Sequence, residues 1–210
     1  MDHIRPAPKP FSVRSVTSEM AAHALDYDVQ LMLRVKAGDT TCFGVLLERH
    51  RHPVIHFLYR MVQNHAVAEE LAQDVFLRVF RSRASYEATA KFTTWLFRIA
   101  THLALNWLRD AKKDRVQDSL DAESSDAPAL QLADRNPNVE QHMVSGTRVE
   151  EIRRAIAALP EKQRVAVLMH KYEEMEYSQI AKVLCCSESA VKSLLFRAYE
   201  TLRARLAHMA

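Results

Sequence analysis

The 210-residue sequence predicts an all-α protein: two small helical bundles joined by a flexible acidic linker, the C-terminal bundle containing a helix-turn-helix. Three observations lead there. Glycine occurs only three times, which disfavours hairpin arrays and phosphate-cradling loops and favours helices. Apolar residues recur at three- and four-residue steps in two blocks, residues 26–110 and 148–210. Between them, residues 111–147 lose that period and turn acidic and polar.

The elements follow in order. Residues 1–25 hold three prolines and no sustained period, and read as a flexible extension. Asp26 is a candidate N-cap for a helix carrying Val29, Leu31, Met32, Leu33 and Val35 that ends near Gly38. Asp39 caps a second helix with Phe43, Leu46, Leu47, Val54, Leu58 and Met61 at helical spacing, and Pro53 is expected to kink or interrupt it. A third helix covers about 66–81, with Val67, Leu71, Val75 and Val79 on one stripe. After the polar run SRASYEATAK, a fourth covers about 92–109 on Trp95, Leu96, Ile99, Leu103 and Trp107. Beyond the linker, helices are expected over about 148–159, 161–171, 178–184 and 188–206. Pro160 ends the first of these, and residues 185–187 form a turn.

Composition excludes several classes. No run reaches the ~18 to 20 apolar residues of a membrane span. The N-terminus lacks the apolar stretch of a secretory signal, and three cysteines do not make a disulfide framework. A cytoplasmic protein is expected. No nucleophile elbow, zinc-protease motif, phosphate loop or paired-carboxylate arrangement has supporting context, so neither catalysis nor a cofactor is expected. His50, His52 and His56 do not share one helix face, which argues against a metal site. Cys185 and Cys186 are adjacent and read as packing residues, with a thiol switch as the alternative.

Charge is patterned beneath a net of +3. Residues 76–115 carry nine basic and three acidic side chains, a net of +6. Residues 116–151 carry eight acidic and two basic ones, a net of −6, and residues 152–210 a net of +4. Two basic segments flanking an acidic one suggest nucleic-acid surfaces separated by a tether.

Three segments carry function. In YSQIAKVLCCSESAVKSLLFRAYETL, Ile180, Ala181 and Leu184 supply the inner face of a short helix, and Val191, Leu195 and Ala198 that of a longer one capped by Ser187. That spacing fits a helix-turn-helix, although an ordinary hairpin with a polar outer side shows the same pattern. Glu188, Ser189, Lys192, Ser193, Phe196 and Arg197 then face outward, where Lys and Arg suit phosphates and guanine edges and Phe suits a thymine methyl. AEELAQDVF places Glu70, Gln73 and Asp74 on or near one polar side, suited to a basic protein partner. FTTWLFRIATHLALNWLRDAKKDR interleaves basic, aromatic and amide side chains, a combination suited to unpaired bases, although Trp95 and Trp107 also fit a core.

AEELAQDVFLRVFR, FTTWLFRIATHLALNWLR and IAALPEKQRVAVLMHKYEEMEYSQIAKVLCCSESAVKSLLFRA, in that order, resemble bacterial sigma factors of the extracytoplasmic-function group, across about residues 26–110 and 148–206. The resemblance implies a promoter-specificity subunit of core RNA polymerase. It assigns residues 26–110 to sigma region 2 and residues 148–210 to region 4. Glu70, Gln73 and Asp74 would dock on clamp helices of the largest subunit, and region 4 would lean on the flap of the second-largest. Trp95, Arg98, Thr101, His102 and Asn106, with the preceding loop of residues 82–91, would hold the melted non-template strand of the −10 element. Glu188, Ser189, Lys192, Ser193, Phe196 and Arg197 would read the −35 element of promoter DNA as duplex. An anti-sigma factor is an implied partner.

The sequence departs from the family pattern at His102 (commonly Asn), Leu194 (commonly Arg), and Glu174 and Glu176 (commonly Gly and Ser nearby). In the family the linker threads toward the RNA exit path, which suggests Asp118, Asp121, Glu123 and Asp126 as a mimic of RNA there, with a merely solubilising linker as the alternative. Two rivals share parts of the pattern: a stand-alone helix-turn-helix regulator, and a sigma-like adaptor that binds a regulator without initiating transcription.

Overall fold

The computed structural model describes residues 26–121 and 141–209. The extension at residues 1–25 and the acidic Glu123 and Asp126 lie outside the described residues. Among those described, eight α-helices and two short 3₁₀ turns occur and no strand.

Helix α1 (Tyr27–Lys36) starts where the Asp26 carboxylate accepts the Asp28 N–H, at 3.1 Å. It closes at Ala37, and Gly38 follows at φ +105°, a left-handed conformation that glycine adopts without a Cβ penalty. Helix α2 (Thr41–Val62) starts where Asp39 accepts the Thr41 N–H, at 3.2 Å. It runs through Pro53 as one helix, so of the expected kink or interruption the interruption does not occur. Val54, Phe57 and Leu58, all fully buried just beyond the proline, hold the continuation in the core. Helix α3 (His65–Arg81) begins at Asn64, whose side chain accepts the Val67 N–H. A buried polar contact ties α1 to α2: Asp28 accepts from Arg49 at 2.8 Å and lies 2.9 Å from His50 Nε2. His50 is thus held by a carboxylate rather than gathered with its histidine neighbours.

The polar run after α3 is not merely a surface loop. It makes a 3₁₀ turn (Ser82–Ser85) and then buries Tyr86, whose ring lies 4.9 Å from that of Trp95. Burial, followed by the charges of Asp26 and Asp28, pushes the Tyr86 phenol up to about 12. Helix α4 (Phe92–Asp121) is longer than expected, continuing through AKKDRVQDSLD to take in Asp118 and Asp121. That segment contains no glycine or proline to stop it.

Helix α5 (Gln141–Ala157) leads through Pro160 into α6 (Glu161–Lys171), which buries Val165 to Met169. Helices α7 (Tyr177–Leu184) and α8 (Glu188–Arg205) complete the C-terminal bundle around Ile180, Val183, Val191, Leu195 and Ala198. Sequence reading expects two bundles on a tether, but in this structure they pack together. Helix α4 lies against α7, and α2 against α5 and α6. Buried residues of both bundles join in one hydrophobic cluster.

Glu173 lies at this junction, half-buried beside Arg60 of α2. Burial pushes its carboxyl from 4.5 up to about 7, partly opposed by the Arg60 charge. An acid raised in the folded state contributes full stability below its unfolded value and loses it as pH rises through the folded one. Thermal melting should therefore fall between pH 5 and pH 8, and Glu173→Gln should melt higher than the parent at pH 8 but not at pH 5. Parallel pH dependence in parent and variant would contradict this.

Candidate nucleic-acid and polymerase interface

The C-terminal bundle presents the clearest candidate surface. The Ser187 hydroxyl accepts the Ala190 N–H at 3.2 Å and starts α8 there, fixing which residues turn outward. Val191, Leu195 and Ala198 are buried, and Glu188, Ser189, Lys192, Ser193, Phe196 and Arg197 are all exposed. Phe196 is 68% exposed, far more than a core phenylalanine allows. Ser193 already donates to the Ser189 carbonyl at 3.0 Å, which leaves its oxygen as an acceptor.

The turn before α8 is tight. Cys185 adopts φ 51° and ψ 51°, and its N–H and that of Cys186 both reach the Ala181 carbonyl. A left-handed residue with a Cβ costs about 1–2 kcal/mol, so the turn is held by the packing of α7 on α8. Glu174 is left-handed as well, at φ 51°, just ahead of α7. Gln179 compensates at the helix start, its Oε1 accepting the Glu176 N–H at 2.9 Å.

On α4, the expected strand-binding residues separate into two groups. Arg98 and His102 are exposed, with Trp95 and Asn106 half-buried on the same stripe. Trp95 packs against Tyr86 and Phe92, so one edge of its indole belongs to the core. Asn106 accepts from Arg109, which orients its amide. Thr101 departs from the expectation: it is 3% exposed, and its hydroxyl has no protein partner. It lies one turn from buried Phe97 and Ala104, on the inward face. In this structure it supports the helix rather than lining its surface.

On α3, Glu70, Gln73 and Asp74 are all exposed, as a helix with Leu71, Ala72, Val75 and Phe76 inward requires. Beside them runs a groove of about 660 Å³ between α2 and α3, floored by Phe43, Leu47, Ile55, Phe76 and Phe80. Sequence reasoning missed this groove because Phe43 and Leu47 counted simply as core. The signal was Leu77, an apolar residue off the buried stripe and 48% exposed.

Two family models match the chain: Sigma-70 region 2 over residues 46–114 and Sigma-70 region 4 over residues 149–202. The RNA polymerase sigma-H factor of Pseudomonas aeruginosa is 31% identical over 180 residues, spanning 84% of this chain and 92% of that protein. The chain belongs to the extracytoplasmic-function sigma factors of RNA polymerase. The sigma factor SigW of Bacillus subtilis is 30% identical over 177 residues, covering 82% of this chain and 93% of its own. The structure of CnrH in complex with the cytosolic domain of CnrY shares the fold at TM-score 0.64 and 19% identity, over 87% of this chain and 99% of that one. Bartonella quintana RpoE, solved with the anti-sigma factor NepR, gives TM-score 0.60 and 22% identity, over 79% of this chain and 96% of that one.

Within this sigma factor, the region 2 match encloses both the acidic face of α3 and the stripe on α4, and the region 4 match encloses the outward side of α8. Two departures from the family pattern gain a physical reading. Glu174 occupies a left-handed position, where glycine carries no Cβ cost. Leu194 is half-buried on α8 and packs on the core, so a charge is replaced by an apolar contact.

The outward side of α8 separates charge from shape. Lys192→Ala should weaken duplex binding across all sequences and make the log-affinity against log-salt slope shallower by about 1. Phe196→Ala should leave that slope unchanged and alter preference at one base position. Binding to duplexes selected from a random library, titrated with salt, checks both; identical effects of the two variants would remove the assignment.

Proposed function

We propose that this sigma factor directs core RNA polymerase to its promoters through three separate surfaces of one chain. Exposed Glu70, Gln73 and Asp74 dock α3 on the clamp helices of the largest subunit, and region 4 leans on the flap of the second-largest. Trp95, Arg98, His102 and Asn106 hold the melted non-template strand of the −10 element, and the outward side of α8 reads the −35 element. Thr101 acts through the position of α4, from its inward site. Polymerase performs the nucleotide chemistry, and this chain supplies specificity and the binding energy for opening.

The physics is consistent with that division. Extruding a base costs about a few kcal/mol, and stacking on an aromatic returns ~1–3 kcal/mol per base. The stripe on α4 sets a half-exposed indole, an exposed imidazole, an exposed guanidinium and an oriented amide along about three turns of helix. CnrH and Bartonella RpoE were solved with CnrY and NepR respectively. A protein inhibitor of that kind is accordingly proposed here, with the groove beside Leu77 as part of the surface it shares with polymerase. The working site is the cytoplasm, at the nucleoid when bound to polymerase. No helix of the described residues is long and apolar enough to cross a membrane.

The observation that supports this reading is the order of the matched regions and their exposed faces: the acidic side of α3 and the mixed cationic and aromatic stripe of α4 in region 2, then the outward side of α8 in region 4. Run-off transcription with purified core polymerase tests it. The chain should yield a promoter-specific transcript, and Glu70→Lys with Asp74→Lys should abolish it while leaving duplex binding by α8 intact. Neutralising Asp118, Asp121, Glu123 and Asp126 should change the yield of abortive products in the same assay. A chain that binds palindromic duplex without polymerase and yields no transcript would be a stand-alone regulator. A chain that binds a regulator alone would be an adaptor.

A further inference from the structure

The loop of residues 82–91, which leads into the stripe on α4, is fixed at both ends. Its first part folds back on α3: the Arg83 guanidinium donates to the Phe80 carbonyl at 2.8 Å and lies 4.2 Å from the Phe80 ring centroid. Tyr86 then turns into the core at 2% exposure, although both of its sequence neighbours are exposed. Its ring packs on Trp95 of the stripe. Phe92 is fully buried and starts α4, and the Lys91 carbonyl accepts the Thr94 and Trp95 N–H groups. Residues 87–91 are thus strung between two buried aromatic anchors, and Glu87, Ala88, Thr89 and Lys91 among them are exposed. The Thr89 N–H donates to the Glu87 carbonyl at 2.9 Å and tightens the span.

A third hold comes from a helix distant in sequence. The Lys36 ammonium, in the last turn of α1, donates to the Tyr86 carbonyl at 2.7 Å. A charged donor fixes the orientation of that peptide more firmly than a neutral one. The Tyr86 hydroxyl has no protein partner, so the residue acts through its ring and its carbonyl. Helix α1 also packs against the 3₁₀ turn and α4, so Lys36 braces the loop from a seated helix. Ordering five residues as they meet DNA costs more than stacking one base returns. A loop already ordered on folding carries no such penalty at binding.

We propose that Lys36 and Tyr86 are positioning residues for strand capture: they pin residues 87–91 beside Trp95, so that one extruded base meets a preformed seat. Lys36 acts through the Tyr86 peptide, and Tyr86 through Trp95 and the loop. The proposal rests on the strand-binding reading of α4 and deepens it, because it names what shapes that surface.

The test uses holoenzyme assembled from core polymerase and the full chain. The parent holoenzyme selects a single-stranded oligonucleotide from a random library, and anisotropy reads its affinity and that of each single-base change. Lys36→Met should bind the selected strand about three- to tenfold more weakly, the range for one hydrogen bond that orders the loop, and should lose discrimination at one base position. Lys36→Arg, which keeps a cationic donor, should restore both. Tyr86→Ala should lose discrimination at the same position without removing a charge, and Tyr86→Phe should regain it. Lys36 is exposed, so thermal melting, affinity for core polymerase and duplex binding by α8 should be the same in Lys36→Met as in the parent. Equal weakening for every sequence would reduce Lys36 to a general charge and overturn the proposal. Unchanged discrimination in Lys36→Met, or equal loss in Lys36→Arg, would overturn it too. Run-off transcription by the parent separates the two ideas: transcript with unchanged discrimination in Lys36→Met removes only the brace, and no transcript removes the sigma-factor reading and the brace with it.

Discussion

Arg164 is the interaction on which the arrangement of the molecule turns. Its guanidinium is half-buried, and that burial lowers its pKa, partly opposed by the charge of Glu161. Among the described residues no carboxylate hydrogen-bonds to it. Instead it donates to the Met61 carbonyl near the end of α2, and to the Ala157 and Leu159 carbonyls at the end of α5. Helix C-termini leave carbonyls unpaired and carry partial negative charge, so a single cation satisfies two helix ends from different bundles. The Nε atom has no protein partner, a residual cost consistent with an interaction that sets position as well as stability.

From that anchor the rest of the geometry follows. Region 4 is fixed against the end of α2, which brings Arg60 to Tyr172 and α7 to α4. Within region 2, the buried Asp28 contact with Arg49 and His50 fixes α1 on α2. The edge-on rings of Phe57 and Phe97 lock α2 to α4. The acidic face of α3 and the stripe on α4 are therefore presented by one packed bundle, and region 4 meets it through polar, aromatic and apolar contacts together.

Much of this was legible in the sequence because helix signals are local. Asp26, Asn64 and Ser187 cap through their own side chains, and the apolar stripes of α3 and α8 predict which residues point outward. The parts that were not legible depend on distant partners. Nothing near Thr101 announces that its side of α4 is inward, and nothing near Tyr86 announces burial within a polar run. The packing of the two bundles rests on residues about a hundred positions apart, such as Arg164 with Met61, and no periodicity encodes that. Pro53 does not end α2 for a related reason: its local cost is outweighed by the buried residues on either side. Charge gave the inverse lesson. A near-neutral total concealed two basic segments and the acidic stretch that joins them.

The central claim is that exposed faces of two bundles in one chain serve promoter-specific transcription by core polymerase, α4 on a melted strand and α8 on duplex. Photo-crosslinking from His102 on α4 and Lys192 on α8, both exposed, in a complex of core polymerase, this chain and promoter DNA measures this most directly. The account predicts crosslinks from His102 to unpaired bases of the −10 element and from Lys192 to duplex at the −35 element. Crosslinks from both positions to one duplex site, or none from His102, would contradict it.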